Sequence, residues 1–147
     1  MTRAIVVVPT YNEVENLPIL VPAILEQDPR LEVLVVDDGS PDGTGELADK
    51  LSADEARVHV LHRESKQGLG PAYRAGLARA LELGADFVIQ MDADFSHPPS
   101  SLPELLEEIQ SHDVVLGSRY LNGITVVNWP IERILISWFG NVYARRI

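Results

Sequence analysis

The sequence predicts an α/β fold in which a mostly parallel sheet is covered by helices on both faces. Three apolar, largely β-branched runs, at 5–8, 33–36 and 87–91, lack the strict alternation found in strands with one solvent-exposed face. Helical patterns separate the runs, and each run ends in a polar cluster. Ligands of open parallel sheets bind outside the carboxyl ends of the strands, so we expect the three clusters to converge there.

The remaining elements follow from periodicity and from residues that begin or end helices. After the first strand, one helical face is formed by Leu17, Leu20, Val21, Ile24 and Leu25. Pro22 removes a backbone hydrogen bond there unless it lies in the first turn, which leaves the helix boundary open. The other predicted elements are a short helix after Thr44, a strand at 58–61, a helix from Pro71 to about Leu83, a helix after a capping box of Ser101 and Glu104, and a strand at 114–116.

Composition indicates one globular domain, covering residues 1–147, with 46% hydrophobic and 23% charged residues. The chain has no cysteine, which excludes a disulfide framework and a zinc–thiolate site. It enters the first strand directly, and no run approaches the roughly 20 apolar residues of a membrane-spanning helix. We therefore expect a cytoplasmic protein without a signal peptide.

The net charge of −10 argues against nucleic acid as a partner, because phosphate backbones are bound by clustered Lys and Arg. Positive charge gathers at one end, where residues 118–147 hold four arginines against one glutamate. Apolar residues in 131–147 follow helical spacing: Ile131, Ile134, Leu135, Trp138, Phe139, Val142 and Tyr143. Two interpretations stay open, an amphipathic helix at the bilayer interface and a helix packed on the domain's own core.

Two carboxylates at the end of a buried strand suggest a cation site. Residues two apart on an extended chain point to the same side, so Asp92 and Asp94 can face one Mg2+ or Mn2+ ion. A metal held by two side chains keeps positions for water and for the oxygens of a diphosphate. A solvated acidic turn would carry the same pattern, so the motif alone does not decide.

Two rival interpretations fail on the sequence. The segment Gly68-Leu69-Gly70 before a helix resembles a dinucleotide fingerprint, but it does not follow the first strand and has Tyr73 where a third glycine belongs. Asp37 and Asp38, with Asp92, resemble the acidic pocket of a receiver domain. Such domains also need a lysine after a late strand, and both lysines of this chain precede Asp92.

Taken together, the motifs resemble family 2 glycosyltransferases of the GT-A fold, and within them the dolichol-phosphate (polyprenol-phosphate) mannose synthase group. The resemblance runs almost end to end. It is carried by the segments 9–13, 37–44, 68–70, 91–99, 117–120 and 128–130. The Ser-His-Pro-Pro, Gly-Ser-Arg-Tyr and Asn-Trp-Pro sequences within the last three segments narrow the match to the polyprenol-phosphate branch.

The resemblance implies a nucleotide-sugar site. Pro9, Tyr11 and Glu13 would hold the nucleoside, with Glu13 accepting hydrogen bonds from the ribose hydroxyls. The base pocket would be lined by Val36, Asp37 and Asp38. A carboxylate can accept from the ring N–H of guanine or uracil, and a bidentate contact favours guanine.

The resemblance also implies a metal that bridges the diphosphate, held by Asp92 and Asp94. Ala93 would let the backbone approach the nucleotide closely. Some relatives carry a glutamine as third ligand two residues after the second aspartate, where this chain has Ser96. His97 fits a structural turn residue better than a metal ligand, and we assign it no metal role.

By the same resemblance, the reaction would be inverting transfer of mannose from GDP-mannose to a polyprenyl (dolichyl) phosphate at the cytoplasmic membrane face. Asp94 and Arg119 would be the catalytic residues, with Arg119 binding phosphate through its planar fork. The alternatives are a polyprenyl-phosphate glucosyltransferase that uses UDP-glucose, and a nucleotide-sugar-binding module without turnover. Family members continue past this point, so we expect the chain to be truncated after Ile147.

Overall fold

The computed structural model of the protein describes residues 2–117, 131–144 and 146, in two compact units, residues 1–110 and 111–147. The strands of the first unit are β1 (Ala4–Thr10), β2 (Leu31–Asp37), β3 (Val58–His62) and β4 (Phe87–Gln90). Its helices are α1 (Leu17–Leu25), α2 (Thr44–Asp54), α3 (Leu69–Glu82) and α4 (Leu102–Glu108), the last preceded by a 3-10 turn at Pro99–Ser101. The second unit contains α5 (Ile131–Ala144).

The four strands are parallel and lie in the order β3-β2-β1-β4. In β1, Val6 lies opposite Val33 of β2 and Ile89 of β4. The chain therefore builds the sheet outward from β1 in both directions, first through β2 and β3 and then, on the other side, through β4. In such a sheet the loops after β1 and β4 diverge and leave a crevice between them.

Pro9 lies where this crevice opens. The carbonyl of Val7 accepts the N–H of Met91 at 3.2 Å, so the backbone groups of Val7 and, two residues on, Pro9 point to the β4 side. The pairing with β4 ends at Val7 and Gln90, so the missing N–H of Pro9 costs no hydrogen bond with β4. A proline is thereby accommodated in the central strand.

Alternating residues of the sheet enter two cores. Ala4, Val6 and Val8 pack on one face with apolar residues of α1, α2 and α4. Ile5 and Val7 pack on the other face with α3. Burial on both faces explains why these strands read as continuous apolar runs, and the predicted α/β fold with a parallel sheet is confirmed.

Three local predictions differ from the structure. Residues 114–116 form no strand, because three apolar residues do not distinguish a strand from an apolar loop. The capping box is also wrong: Ser101 has helical backbone angles, and its hydroxyl donates to the carbonyl of Pro98 at 2.8 Å. Helix α3 begins at Leu69, with Pro71 inside its first turn, where a missing N–H costs nothing. Helix α1 continues through Pro22.

Helix α5 is described by itself, because it belongs to the second unit. The rings of Trp138 and Phe139 meet edge to face there, with their centroids 5.1 Å apart. In the part of the chain that the structure describes, no helix is both long enough and apolar enough to cross a bilayer.

Helix α3 approaches the sheet most closely at Gly76. A Cβ atom placed there would lie 2.4 Å from Cγ1 of Val7 and 2.9 Å from Cγ2 of Val36, closer than carbon atoms tolerate. Ala72 and Ala80 are buried on the same side of the helix. Small side chains at a spacing of four therefore let the α3 backbone lie directly on β1 and β2.

We predict that Gly76→Ala lowers the free energy of unfolding by about 1–2 kcal/mol, because overpacking outweighs the better helix propensity of alanine. Gly70→Ala in the same helix is the matched control, since its Cβ would meet no atom within 4 Å. Urea denaturation measures both variants. Equal stability of the two variants would contradict the close approach.

Candidate functional site

A cavity of about 290 Å3 opens at the carboxyl ends of β1 and β4. Its lining residues come from the carboxyl end of β1, from the segments after all four strands and from the start of α3: Pro9, Thr10, Tyr11, Glu13, Asp38, Lys66, Gly68, Leu69, Ala72, Asp92, Ala93 and Asp94. The polar clusters after β1, β2 and β4 thus meet in one place, as the strand pattern predicted. The lining has four carboxylates and one ammonium group, which makes the cavity acidic.

The residues that the sequence singled out fall into three groups. Seven line the cavity: Pro9, Tyr11, Glu13, Asp38, Asp92, Ala93 and Asp94. Val36 and Asp37 are buried in the sheet outside the lining, and Ser96 is exposed outside it. Arg119 lies outside the described residues.

The Asp37 carboxylate is an internal hydrogen-bond acceptor. It is 2% exposed and accepts from the Thr10 hydroxyl at 3.1 Å and from the Ser40 hydroxyl and N–H at 2.5 and 3.0 Å. Buried carboxylates need such donors, because an unpaired charge away from water is costly. Asp37 therefore joins the end of β1 to the loop after β2.

The same loop holds the backbone of the segment after β1. The N–H groups of Asn12 and Glu13 donate to the hydroxyls of Ser40 and Thr44, at 3.1 and 2.9 Å. Asp42 accepts from the Thr44 hydroxyl at 2.6 Å, and this bonding lowers the pKa of the Asp42 carboxyl. Asn12 has a φ of 63°, a conformation that asparagine tolerates better than most residues. These contacts fix the direction in which Tyr11 and Glu13 leave the sheet.

Charged and aromatic side chains meet at the end of the cavity near β1 and β2. The Lys66 ammonium lies 4.0 Å from the centroid of the Tyr11 ring, a cation–π contact. Glu13 accepts a hydrogen bond from the Asn16 side chain at 2.7 Å. Asp38 pairs with Arg63 at 2.5 Å, and both side chains of the pair are largely buried. A ligand in the cavity would therefore meet Asp38 already restrained by a guanidinium.

The two aspartates after β4 lie in a turn and not on an extended chain. The expectation that they share a side because of strand geometry is therefore wrong, although both line the cavity. Asp94 accepts the N–H of Ser96 at 2.9 Å, and Phe95 between them has a φ of 60°. This hydrogen bond closes an Asx-type turn, which orients the Asp94 carboxylate. Hydrogen bonding from Ser96 outweighs burial and lowers the pKa of the Asp94 carboxyl.

Asp92 forms hydrogen bonds with two other residues, Tyr73 and His97. Its Oδ1 accepts the Tyr73 hydroxyl at 2.7 Å, and its backbone N–H donates to Nδ1 of His97 at 3.3 Å. Burial, and then the Asp92 carboxylate, raise the pKa of the Tyr73 phenol, so the phenol remains a donor. His97 thus stabilises the turn.

The donor set suits a hard divalent cation. Asp92 and Asp94 supply carboxylate oxygens, the ligands that Mg2+ and Mn2+ prefer, and their hydrogen bonds to Tyr73 and Ser96 use Oδ1 of each. Among the described residues, no cluster of three or more His, Cys, Asp or Glu forms a closed metal cage. Two carboxylates fit an ion whose remaining ligands come from water and from a phosphate-bearing ligand.

Sequence reasoning missed three residues of the site: Lys66, Arg63 and Tyr73. The first two lie in the irregular segment between β3 and α3, where no periodicity indicates direction. Tyr73 carried a usable signal. Tyr73 follows Ala72, which with Gly76 and Ala80 forms the small-residue face of α3 that packs on the sheet. Its side chain therefore starts close to the candidate site.

The fold and the site define a class: α/β proteins with a GT-A-like parallel sheet and an acidic cavity at the carboxyl ends of its strands. Within that class the chain belongs to glycosyltransferase family 2, because it matches Glycosyl transferase family 2 over residues 5–146. The resemblance inferred from the motifs is thereby confirmed.

Named relatives place the chain near the polyprenol-phosphate branch. It is 50% identical over 143 residues to an undecaprenyl-phosphate mannosyltransferase of Micrococcus luteus, covering 97% of this chain and 59% of the relative. It is 51% identical over 145 residues to a polyprenol monophosphomannose synthase of Mycolicibacterium smegmatis, covering 97% of this chain and 55% of the relative. The chain thus spans little more than half the length of these two relatives.

Among solved structures, a mannosyltransferase from Pyrobaculum calidifontis in complex with GDP-Man and Mn2+ is similar, with a TM-score of 0.55 and 31% identity. The match covers 63% of this chain and 27% of that one. The likeness supports the GT-A-like assignment of the sheet.

We predict that Asp37→Asn lowers the free energy of unfolding by about 1–3 kcal/mol, because an amide cannot satisfy all the donors that the carboxylate accepts. Asp49→Asn is the control, since Asp49 is exposed and pairs with His62 at the surface. Chemical denaturation measures the loss. Unchanged stability together with lost nucleotide binding would instead assign Asp37 a direct contact with the ligand.

Proposed function

We propose that the chain is the donor-binding part of a glycosyltransferase that moves mannose from GDP-mannose to a polyprenyl phosphate, with inversion and with a divalent cation. One observation carries the proposal: Tyr11 and Glu13 line the same cavity as Asp92 and Asp94. A cavity with a place for a nucleoside at one end and a place for a cation at the other suits a nucleoside diphosphate sugar. The names of the relatives supply the sugar and the acceptor class.

The nucleoside occupies the end of the cavity near β1 and β2. Pro9 and Tyr11 give it apolar and aromatic surface, and Glu13 accepts from the ribose hydroxyls. Asp38 accepts from the ring N–H of the base, and its pairing with Arg63 holds the carboxylate in one orientation. Val36 and Asp37 support this surface from within the sheet. Asp37 does so through its hydrogen bond with Ser40, in the loop after β2.

Asp92 and Asp94 hold Mg2+ or Mn2+ at the other end, and Ala93 between them leaves room for the diphosphate. The structure of the Pyrobaculum mannosyltransferase, which contains GDP-Man and Mn2+, supports a divalent ion here. When bound, the cation supplies positive charge to the departing diphosphate. Ser96 remains a candidate third ligand, through its hydroxyl or a water.

The acceptor needs no strong base, because a phosphate monoester is already anionic near neutral pH. Its oxygen forms the new bond to the anomeric carbon while the bond to the donor diphosphate breaks, which inverts the configuration. The remaining tasks are to align two anions and to balance their charge. We assign the second task to Arg119, whose guanidinium binds phosphate bidentately, together with the cation that Asp94 would help to hold.

A lipid acceptor requires access to a membrane surface. The apolar and basic sequence pattern of residues 131–147 suits the bilayer interface, with Trp138 and Tyr143 at the headgroup level and Arg133 and Arg145 mainly opposite them in helical spacing. We therefore propose peripheral attachment at the cytoplasmic membrane face.

The function is tested by titrating the chain with GDP-mannose, UDP-glucose, GDP and UDP, each with and without Mn2+, and by assaying transfer of labelled mannose to polyprenyl phosphate. We expect tighter, Mn2+-dependent binding of the guanosine ligands, and a mannosylated lipid as product. Arg119→Ala is expected to slow transfer at limiting acceptor far more than it weakens donor binding. Tighter binding of UDP-glucose than of GDP-mannose would favour the glucosyltransferase. Donor binding without transfer of the sugar would favour a binding module.

We predict that Asp92→Asn and Asp94→Asn each weaken Mn2+-dependent GDP binding by at least about 10-fold, because each removes charge from a two-carboxylate site. Both variants should keep the melting temperature of the wild-type chain. The control is Asp49→Asn, an exposed carboxylate outside the cavity. Calorimetry with unchanged Mn2+ dependence in both variants would refute the cation assignment.

A further inference from the structure

Tyr73 restrains one of the two acidic residues at the cation end of the cavity. It is partly buried in α3, and its hydroxyl donates to Oδ1 of Asp92 at 2.7 Å. A hydrogen bond from a phenol to an ionised carboxylate is short and stronger than one between neutral groups. Asp92 is therefore tied to an element outside the loop that carries it.

The helix that carries Tyr73 is itself fixed by the sheet. Three residues further on, Gly76 brings the α3 backbone so close that an added Cβ would lie 2.4 Å from Val7. Ala72, directly before Tyr73, is buried on the same face. Small residues leave no flexible side-chain layer between helix and strands, so the sheet determines the backbone position from which the Tyr73 side chain extends.

The two acidic residues are restrained in different ways. Asp92 is joined to α3 through Tyr73, and its backbone N–H is joined to His97 at 3.3 Å. In the hydrogen bonds of the described residues, Asp94 is held by Ser96 of its own turn. Asp92 is thus tied to an element packed on the sheet, whereas the described hydrogen bond of Asp94 stays within the loop after β4.

We propose that Tyr73 is a positioning residue that holds the Asp92 carboxylate in the orientation required for binding a divalent cation. The inference rests on the proposed function, because it takes Asp92 as a ligand of the cation. Oδ1 accepts the hydrogen bond from the phenol, which restricts the side chain to one orientation and leaves Oδ2 available to the cation. Hydrogen-bond partners behind metal ligands orient those ligands, and their removal typically weakens metal binding by roughly 10–100-fold.

The test is Tyr73→Phe, which removes the hydroxyl and keeps the ring that packs beside the sheet. Free Mn2+ is measured by electron paramagnetic resonance during titration of the chain in the presence of GDP. We expect the dissociation constant for Mn2+ to rise by about 10-fold. Binding of guanosine without metal and the melting temperature should stay unchanged, which separates positioning from a general structural role.

Ser52→Ala is the matched control. It also removes one hydroxyl hydrogen bond, here to the carbonyl of Val58 at 2.8 Å, from a helix residue outside the cavity lining. Mn2+ binding by this variant should equal that of the wild-type chain. A second control combines Tyr73→Phe with Asp92→Ala. If the hydroxyl acts through Asp92, its removal in that background should change Mn2+ affinity by no more than about two-fold.

The outcomes separate the inference from the function on which it rests. If Asp92→Ala alone leaves Mn2+ binding intact, the proposed cation site is wrong, whatever Tyr73 does. If Asp92→Ala weakens Mn2+ binding but Tyr73→Phe does not, the cation site stands and the positioning role is overturned. An equal effect of Tyr73→Phe with and without Asp92 also overturns it, because the hydroxyl would then act elsewhere.

Discussion

The pairing of β1 with β2 on one side and β4 on the other is the constraint on which the rest of the molecule depends. It buries every residue of β1 except Pro9 and brings the loops after β1 and β4 to the same end of the sheet. Because side chains alternate along a strand, a shift of one residue in β4 would exchange its two faces and turn the following loop away. The position of the loop after β4 therefore depends on a short strand, because β4 pairs with β1 only from Phe87 to Gln90.

The acidic motif after β2 serves two purposes. Asp38 faces the cavity, whereas Asp37 accepts a hydrogen bond from the Thr10 hydroxyl and Asp42 accepts one from the N–H of Val14. Acidic side chains that are poor in a sheet interior are tolerated here because backbone N–H groups and hydroxyls satisfy them. Much of the motif thus orders the segment of Tyr11 and Glu13 instead of touching a ligand, and changes in it would reach the ligand indirectly.

The sequence predicted the fold and the convergence of the three loops, because buried parallel strands leave a strong pattern and their carboxyl ends meet by geometry. It could not predict side-chain direction in the irregular segments. The resemblance placed Val36 in the base pocket, but Val36 is buried in the sheet. Asp92 and Asp94 were expected on an extended chain, whereas Asp94 lies in a turn. Tyr73 could be placed near the sheet by the small residues beside it, but its partner is 19 residues away, and no local pattern predicts that contact.

The acidity of the cavity links its ligands thermodynamically. Four carboxylates face one ammonium group there, so a diphosphate that entered alone would be repelled, and a cation that entered alone would lack most of its oxygen ligands. If the cavity binds a sugar nucleotide together with a divalent ion, as proposed, each would raise the affinity for the other by the same factor, a reciprocity that holds at equilibrium whatever the order of arrival. The free concentration of Mg2+ or Mn2+ would then change the apparent affinity for the donor.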